Sequence, residues 1–230
     1  MAVRPVLGLA VLISACVHAS LPPLNPASLP FATDTVRTQR VSDGVVHHFI
    51  YSPSGPWAIH VLDIRLDRCY SAVAVKGASG AVGRAKTSDL MRDLAQPRDV
   101  AGGVTADFFL FAPPGVPTGA LVSAGRVITP PSKQPVFAVD SSGAPHITTL
   151  ELRGGASFAV DDTALAHASL GPFHPMEAVG GRPLLARDSL VAGAVDTEGQ
   201  PGFATGRQPR TAVVIEAGQA LLAAETWPAR

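Results

Sequence analysis

Residues 104–128 read VTADFFLFAPPGVPTGALVSAGRVI, and their order decides how this part of the chain divides into strands and turns. A strand-like run, Val100 to Phe109, carries one acid, Asp107, directly before two phenylalanines. The segment Ala112-Pro113-Pro114-Gly115-Val116-Pro117-Thr118-Gly119 cannot extend a ladder, because proline lacks the amide hydrogen and glycine is entropically costly in a strand. Ala120 to Ile128 returns to a strand pattern folded about Ser123-Ala124-Gly125-Arg126, a hairpin signal. The stretch predicts strand, loop and hairpin. It leaves Asp107 with two readings, an ordinary acid capping a loop at a strand end or the floor of a site.

The strand pattern extends outward on both sides. Val45 to Tyr51 and Trp57 to Leu66 alternate with period two about the turn Ser52-Pro53-Ser54-Gly55-Pro56, and Tyr70 to Lys76 predicts a third strand. Val136 to Asp140 and His146 to Leu152 flank the turn Ser141-Ser142-Gly143, and Arg210 to Glu216 with Gln219 to Ala224 predict a closing hairpin about Ala217-Gly218. One helix is predicted ahead of Pro97, capped by Thr87 or Ser88, with Asp89 in its first turn and Leu90, Met91 and Leu94 as its apolar stripe. Strands outnumber helices and do not alternate with them, which argues an α+β fold: a strand-rich mixed sheet with few helices.

Composition bounds the partners. The chain of 230 residues is 47 % hydrophobic, enough for a folded core, and its 18 Lys plus Arg match its 18 Asp plus Glu, so no net field favours nucleic acid. Residues 1–19 read as an export signal: Arg4 supplies the positive n-region, and Val6 to Ala15 is an apolar run too short to span a bilayer. Two cleavage readings stand. Val17-His18-Ala19 fits an ordinary secretory site, whereas Ile13-Ser14-Ala15-Cys16 fits a lipobox in which Cys16 is lipidated and anchors the chain to a membrane. The mature protein is expected outside the cytoplasm, as a periplasmic, secreted or lipid-anchored envelope protein. Four prolines make residues 21–31 an extended tether, so residues 20–40 are read as a linker and 41–230 as the domain. With Cys16 removed or acylated, Cys69 has no disulfide partner and reads as a small buried hydrophobe.

Three chemistries find little support in the spacing. Gly77 to Thr87 follows a strand pattern and precedes a helix but lacks the Gly-Lys-Ser/Thr triplet of a phosphate loop, so a nucleotide site there would need a cradling turn at Gly83. His47 and His48 are adjacent in a strand and face opposite ways; His60 can join one of them across a hairpin, but no further ligand stands at metal-binding spacing. No Gly-x-Ser-x-Gly elbow marks a serine hydrolase. No metal or cofactor is expected.

Several motifs in one order carry a resemblance. Val104-Thr105-Ala106-Asp107-Phe108-Phe109, then Gly115-Val116-Pro117-Thr118-Gly119, Gly125-Arg126, Ala178-Val179-Gly180-Gly181-Arg182-Pro183-Leu184-Leu185 and Pro209-Arg210-Thr211-Ala212-Val213 are similar to the phosphodiester glycosidase family, that of the "uncovering enzyme", N-acetylglucosamine-1-phosphodiester α-N-acetylglucosaminidase. The resemblance implies an exported hydrolase that cleaves the bond between a sugar C1 and a phosphate in envelope or exopolysaccharide metabolism. Such a reaction develops oxocarbenium character, which a carboxylate near C1 stabilises or uses to activate water. The resemblance offers Asp107 as that carboxylate, Arg210 as phosphate clamp with Thr211 as a hydroxyl donor, Arg182 as a second cation, and Gly119 beside the substrate.

The chain also departs from the pattern. Thr105-Ala106 stands where the family has Asn-Gly, removing an amide and a glycine ahead of the acid, and Val214 stands where it has a glycine. The family continues past the Pro-Arg-Thr-Ala hairpin, whereas here the pattern stops at Leu221 to Glu225, which implies a C-terminally truncated member with an open sheet edge at Val213 and Ile215. Two function classes therefore stay open: a hydrolase of glycosyl-1-phosphodiesters, and a non-catalytic polysaccharide- or envelope-binding module on the same scaffold.

Overall fold

A computed structural model describes residues 24–66, 70–77, 80–95, 99–132, 134–153, 169–182, 186–187, 190–191, 209–216 and 219–226. Residues 1–19, read as an export signal with Cys16, and Cys69 lie outside them. Three consecutive antiparallel strands, β1 (Thr35–Ser42), β2 (Val45–Ser52) and β3 (Trp57–Arg65), open the fold. The sheet thus begins ahead of Val41, within the segment read as tether. Gly44 makes the first reversal at φ 79°. Gly55 serves the second, since a Cβ there would stand 2.1 Å from the Trp57 indole.

Period two along β2 places Val46, His48, Ile50 and Ser52 on one buried face. The two polar members are satisfied: His48 Nδ1 shares a hydrogen bond with Thr38 Oγ1 at 2.9 Å, and Ser52 Oγ donates to the Ala32 carbonyl at 2.6 Å. His47 lies on the other face, where its Nε2 stands 3.0 Å from His60 Nδ1, the cross-hairpin approach expected for one of the two histidines.

The second sheet comprises β4 (Leu121–Ser123), β5 (Arg126–Thr129), β6 (Pro135–Val139), β7 (Pro145–Thr149) and β10 (Glu177–Gly180), in the order β5-β4-β10-β6-β7 and antiparallel throughout. Alternation divides its side chains between two cores. Val122, Val127 and Ala178 join Leu150 and Leu170 on one face, while their neighbours Leu121 and Ile128 join Ala74, Ala81 and Val116 on the other. The β4–β5 turn has Ala124 at φ 50° and Gly125 at φ 76°, the pair of left-handed residues that a two-residue hairpin requires. In the β6–β7 turn the Asp140 carboxylate accepts hydrogen bonds from Ser142 N, Ser142 Oγ and Ala144 N and pairs with His146 Nε2, and these partners hold it well below the usual carboxylate range. Two short antiparallel pairs complete the strands: β8 (Glu151–Arg153) with β9 (Ser169–Gly171), and β11 (Ala186–Arg187) with β12 (Leu190–Val191).

The predicted C-terminal hairpin forms as β13 (Arg210–Glu216) and β14 (Gln219–Thr226) and completes the first sheet in the order β1-β2-β3-β14-β13. Strand β14 pairs with β3 from Gln219↔Arg65 to Thr226↔Ala58, so the two ends of the described chain share one sheet. Among the described residues strand β13 is one edge of that sheet, and its exposed apolar residue is Val214, whereas Val213 and Ile215, expected to face solvent, are half-buried.

The fold is strand-dominated with antiparallel sheets; its single described α-helix is α1 (Thr87–Leu94), and no helix among the described residues is long and apolar enough to cross a membrane. Three local expectations need correction. Residues 70–76 form no ladder, because their anchors are side chains: Ala74 N donates to Glu177 Oε2 at 2.9 Å and Ala74 O accepts from Ser123 Oγ at 2.8 Å. Residues 100–109 form no strand beyond one bridge, Phe109↔Pro117, since Asp107 at φ 55° breaks the extended run. The N-cap of α1 is Lys86, without a side-chain cap bond; Thr87 is already helical and its hydroxyl meets Thr105 Oγ1 at 3.0 Å.

Candidate functional site

The chain reaches Asp107 through a narrow passage. A Cβ on Gly102 would lie 2.5 Å from Leu62 of β3, and one on Gly103 would lie 3.2 Å from the Met91 sulfur of α1. Two glycines thus let residues 102–103 run between sheet and helix. The Thr105–Thr87 contact ties the next turn to the start of α1.

Asp107 then reverses the backbone at φ 55°, a left-handed conformation that aspartate tolerates better than most residues. Its carboxylate staples the Pro/Gly loop. Oδ1 accepts from Phe108 N at 2.6 Å and Thr118 Oγ1 at 3.1 Å, and Oδ2 accepts from Gly119 N at 2.7 Å. Gly119 is held from its other side by Thr129 Oγ1, which donates to its carbonyl at 2.8 Å.

Oδ2 rests against two bare α-carbons. A Cβ on Gly119 would stand 3.1 Å from Oδ2, and one on Gly180, at the end of β10, would stand 3.0 Å from the same atom. Gly180 N bonds Ala120 O and Gly181 N bonds Pro135 O, which brings the ends of β10, β4 and β6 together at the carboxylate. Both expected glycine motifs therefore meet at Asp107, because only glycines let two strand ends close on one oxygen.

Two further groups complete the site. The Arg182 guanidinium lies 5.4 Å over the Phe108 ring, bringing a cation beside the residue that follows Asp107. Gln134 had no part in the sequence expectations. Its Oε1 is buried without a hydrogen-bond partner and would stand 3.2 Å from a Cβ on Gly119. A carboxylate oxygen with spare acceptor capacity and an unpaired amide oxygen thus border the same glycine, a combination suited to hydroxyl donors. Gln134 sits in the segment Pro130-Pro131-Ser132-Lys133-Gln134-Pro135, where nothing but the presence of one amide in a proline-rich loop could have marked it.

Asp107 and Gly119 are brought together, with Arg182 over the neighbouring Phe108 ring, whereas Arg210 and Thr211 are carried on the other sheet. Both lie on β13, the edge of the other sheet, with Arg210 paired in register with Glu225, and all three donors to Asp107 come from residues 108, 118 and 119. Strand β13 lies beside β7, so Arg210 belongs to a region where the two sheets approach. The Gly83 amide, required by a nucleotide reading, is already bonded to Pro114 O at 2.8 Å, and its carbonyl accepts from Lys76 Nζ at 2.7 Å; burial lowers the Lys76 pKa. Among the described residues no group of three His, Cys, Asp or Glu is arranged to hold a metal ion.

No family model matches this chain. No curated protein matches it. A solved structure does: the crystal structure of a hypothetical protein from Synechocystis is similar over 84 % of this chain and 52 % of its own, with a TM-score of 0.62 at 14 % identity. The chain thus spans about half the length of that protein. At this identity the likeness is one of fold.

Proposed function

We propose that the protein is an exported hydrolase of glycosyl-1-phosphodiesters whose site is built around Asp107. The observation that carries this reading is the convergence, at the Gly119/Gly180 contact, of the Asp107 carboxylate, the unpaired Gln134 Oε1 and, across Phe108, the Arg182 cation. A sugar phosphate presents the complementary groups: hydroxyl donors for the two acceptors, an apolar ring face for Phe108 and an anion for Arg182.

In this reading water adds to the sugar C1 and passes a proton to Asp107, while the C1–O bond breaks with its electron pair leaving on the phosphomonoester, which Arg182 pairs. Asp107 serves as a positioned base because its other acceptor sites are filled by the loop. The same filling favours a second reading. A carboxylate holding three protein donors, preceded by Thr105-Ala106, suits a binding module that captures the ligand without cleaving it.

The test is a panel of sugar-1-phosphodiesters incubated with the purified protein, with phosphomonoester release and calorimetric binding measured in parallel. Release that disappears in Asp107→Asn supports the hydrolase, and binding without release supports the module. Neither binding nor release across the panel would end both readings.

A further inference from the structure

The loop that follows Asp107 exposes four consecutive apolar side chains: Phe108 and Phe109 at 42 %, Leu110 at 44 % and Phe111 at 83 %. This exposure belongs to a tied-down hairpin tip. Leu110 N bonds Val116 O, Gly115 N bonds Leu110 O, Thr118 N bonds Phe108 O, and Phe109 bridges Pro117. The Phe109 and Phe111 rings pack edge to face with centroids 5.7 Å apart. A second loop braces the base, through Gly83 N to Pro114 O, and brings with it Val82, 38 % exposed.

Charge is layered on the same feature. Arg84 lies 6.0 Å over the Phe109 ring and Arg182 lies 5.4 Å over Phe108, so the cations stand at the base of the tip and none in it. Exposed Lys86 adds a charge beside Arg84. Residues 76–88 and 108–118 contain no acid, and the two that adjoin them are engaged, Asp89 with the Arg92 guanidinium at 3.0 Å and Asp107 with the Gly119 amide. An apolar aromatic tip above a cationic collar is the profile of a segment that enters the headgroup region of an anionic bilayer, its side chains among the acyl chains and its cations at the phosphates.

We propose that the Phe108–Pro114 loop docks the protein on an anionic phospholipid surface. A lipid layer suits this shape better than a flat protein partner, because a projecting tip with one side chain almost wholly in water needs a medium that deforms around it. Docking holds Asp107, the residue directly before the tip, at the level of the headgroups. Resting on the hydrolase reading above, this makes the substrate a membrane-borne glycosyl phosphodiester rather than a soluble one.

The full chain is mixed with vesicles of phosphatidylcholine alone and of equal parts phosphatidylcholine and phosphatidylglycerol, then sedimented. The wild type is expected with the mixed vesicles and to be released by salt. The double substitution Leu110→Asp with Phe111→Asp is expected to weaken partition at least about tenfold, since two apolar side chains no longer enter the layer. Arg84→Glu with Lys86→Glu should remove the preference for anionic vesicles by roughly tenfold or more. Phe111→Trp supplies an optical probe, whose emission should shift to the blue and be quenched by brominated acyl chains. Thermal melts of these variants should stay close to the wild type, because the altered side chains are exposed and lose only the ring contacts of Phe111 and Arg84 with Phe109.

Asp107→Asn is expected to bind vesicles as the wild type does while losing hydrolysis, which separates the two proposals: a wild type that binds vesicles but hydrolyses no phosphodiester removes the hydrolase reading and leaves the docking surface standing. Wild type remaining in solution with both vesicle types, or an unshifted Phe111→Trp emission, overturns the docking proposal. So does a dimer that the tip substitutions convert to monomer without any vesicle binding, since the tip would then be an interface between copies of this chain.

Discussion

Replacing Asp107 by alanine separates the staple from the chemistry. The substitution removes acceptors for Phe108 N, Thr118 Oγ1 and Gly119 N and leaves a Cβ-bearing residue without a local side-chain bond at φ 55°. Phe108 and Thr118 can rehydrate, since Phe108 is exposed and Thr118 half-exposed, whereas Gly119 is buried and its amide becomes an unpaired donor. That donor costs about 1–3 kcal/mol. The left-handed backbone adds about 1 kcal/mol for alanine. Together they give an expected loss of roughly 2–4 kcal/mol, or about 5–15 °C in melting temperature for a chain of this size. Asp107→Gly loses the same bonds without the backbone strain and should melt above the alanine variant. Asp107→Asn keeps the side-chain shape but sets an NH2 against one donor, so its loss should be about 1–2 kcal/mol. Differential scanning calorimetry of the three variants, with phosphodiester hydrolysis measured on each, supplies the comparison. An alanine variant melting with the wild type would refute the staple, and an asparagine variant with full hydrolysis would refute the catalytic role.

Gly180→Ala puts a methyl 3.0 Å from Asp107 Oδ2 and the same distance from Gly119 Cα, both held by backbone bonds, so a loss of about 1–3 kcal/mol is expected in chemical denaturation, with ligand affinity falling alongside. His48 and His60 both titrate below the ordinary value of 6.5, each mainly through burial, with His47 further lowering both and Asp63 partly opposing the shift at His48. The unfolded chain therefore takes up protons first as pH drops through 6.5, and the melting temperature should fall between neutral pH and the depressed folded pKa; His60→Gln should flatten that slope, and an unchanged slope counts against the assignment. For Asp140 the folded pKa is depressed, so its contribution is present above the unfolded value of 3.8 and lost as pH falls below it; Asp140→Ala should remove this acid sensitivity and speed amide exchange at Ser142 and Ala144.

The local elements that were legible in the sequence are those whose partners lie nearby. The β2–β3, β4–β5, β6–β7 and β13–β14 hairpins follow from period-two runs closed by Gly, Pro, Ser and Asn/Asp-type turns, since adjacent strands joined by a short turn have little choice of partner. The contact of Asp107 with Gly119 was legible too, but through motif order, while Arg182 is met only over the neighbouring Phe108 ring. Periodicity reports which way a side chain faces and not what lies opposite, so the pairing of β14 with β3, which joins early and late parts of the described chain, could not be read from it.

Tertiary structure also decided where apparent strands fail. Tyr70 to Lys76 has strand composition, yet Ala74 N finds its acceptor on Glu177, 103 positions away, and Val104 to Phe109 alternates yet turns at Asp107. A backbone group bonds whichever partner the packed chain supplies, and a distant carboxylate serves as well as a neighbouring strand. For the same reason the sequence by itself determined a strand-rich domain and an acid among glycines. Only the folded chain made that acid a staple, set the unpaired Gln134 oxygen beside it, and left Arg210 on another sheet, because these relations depend on distances that run through space and not along the chain.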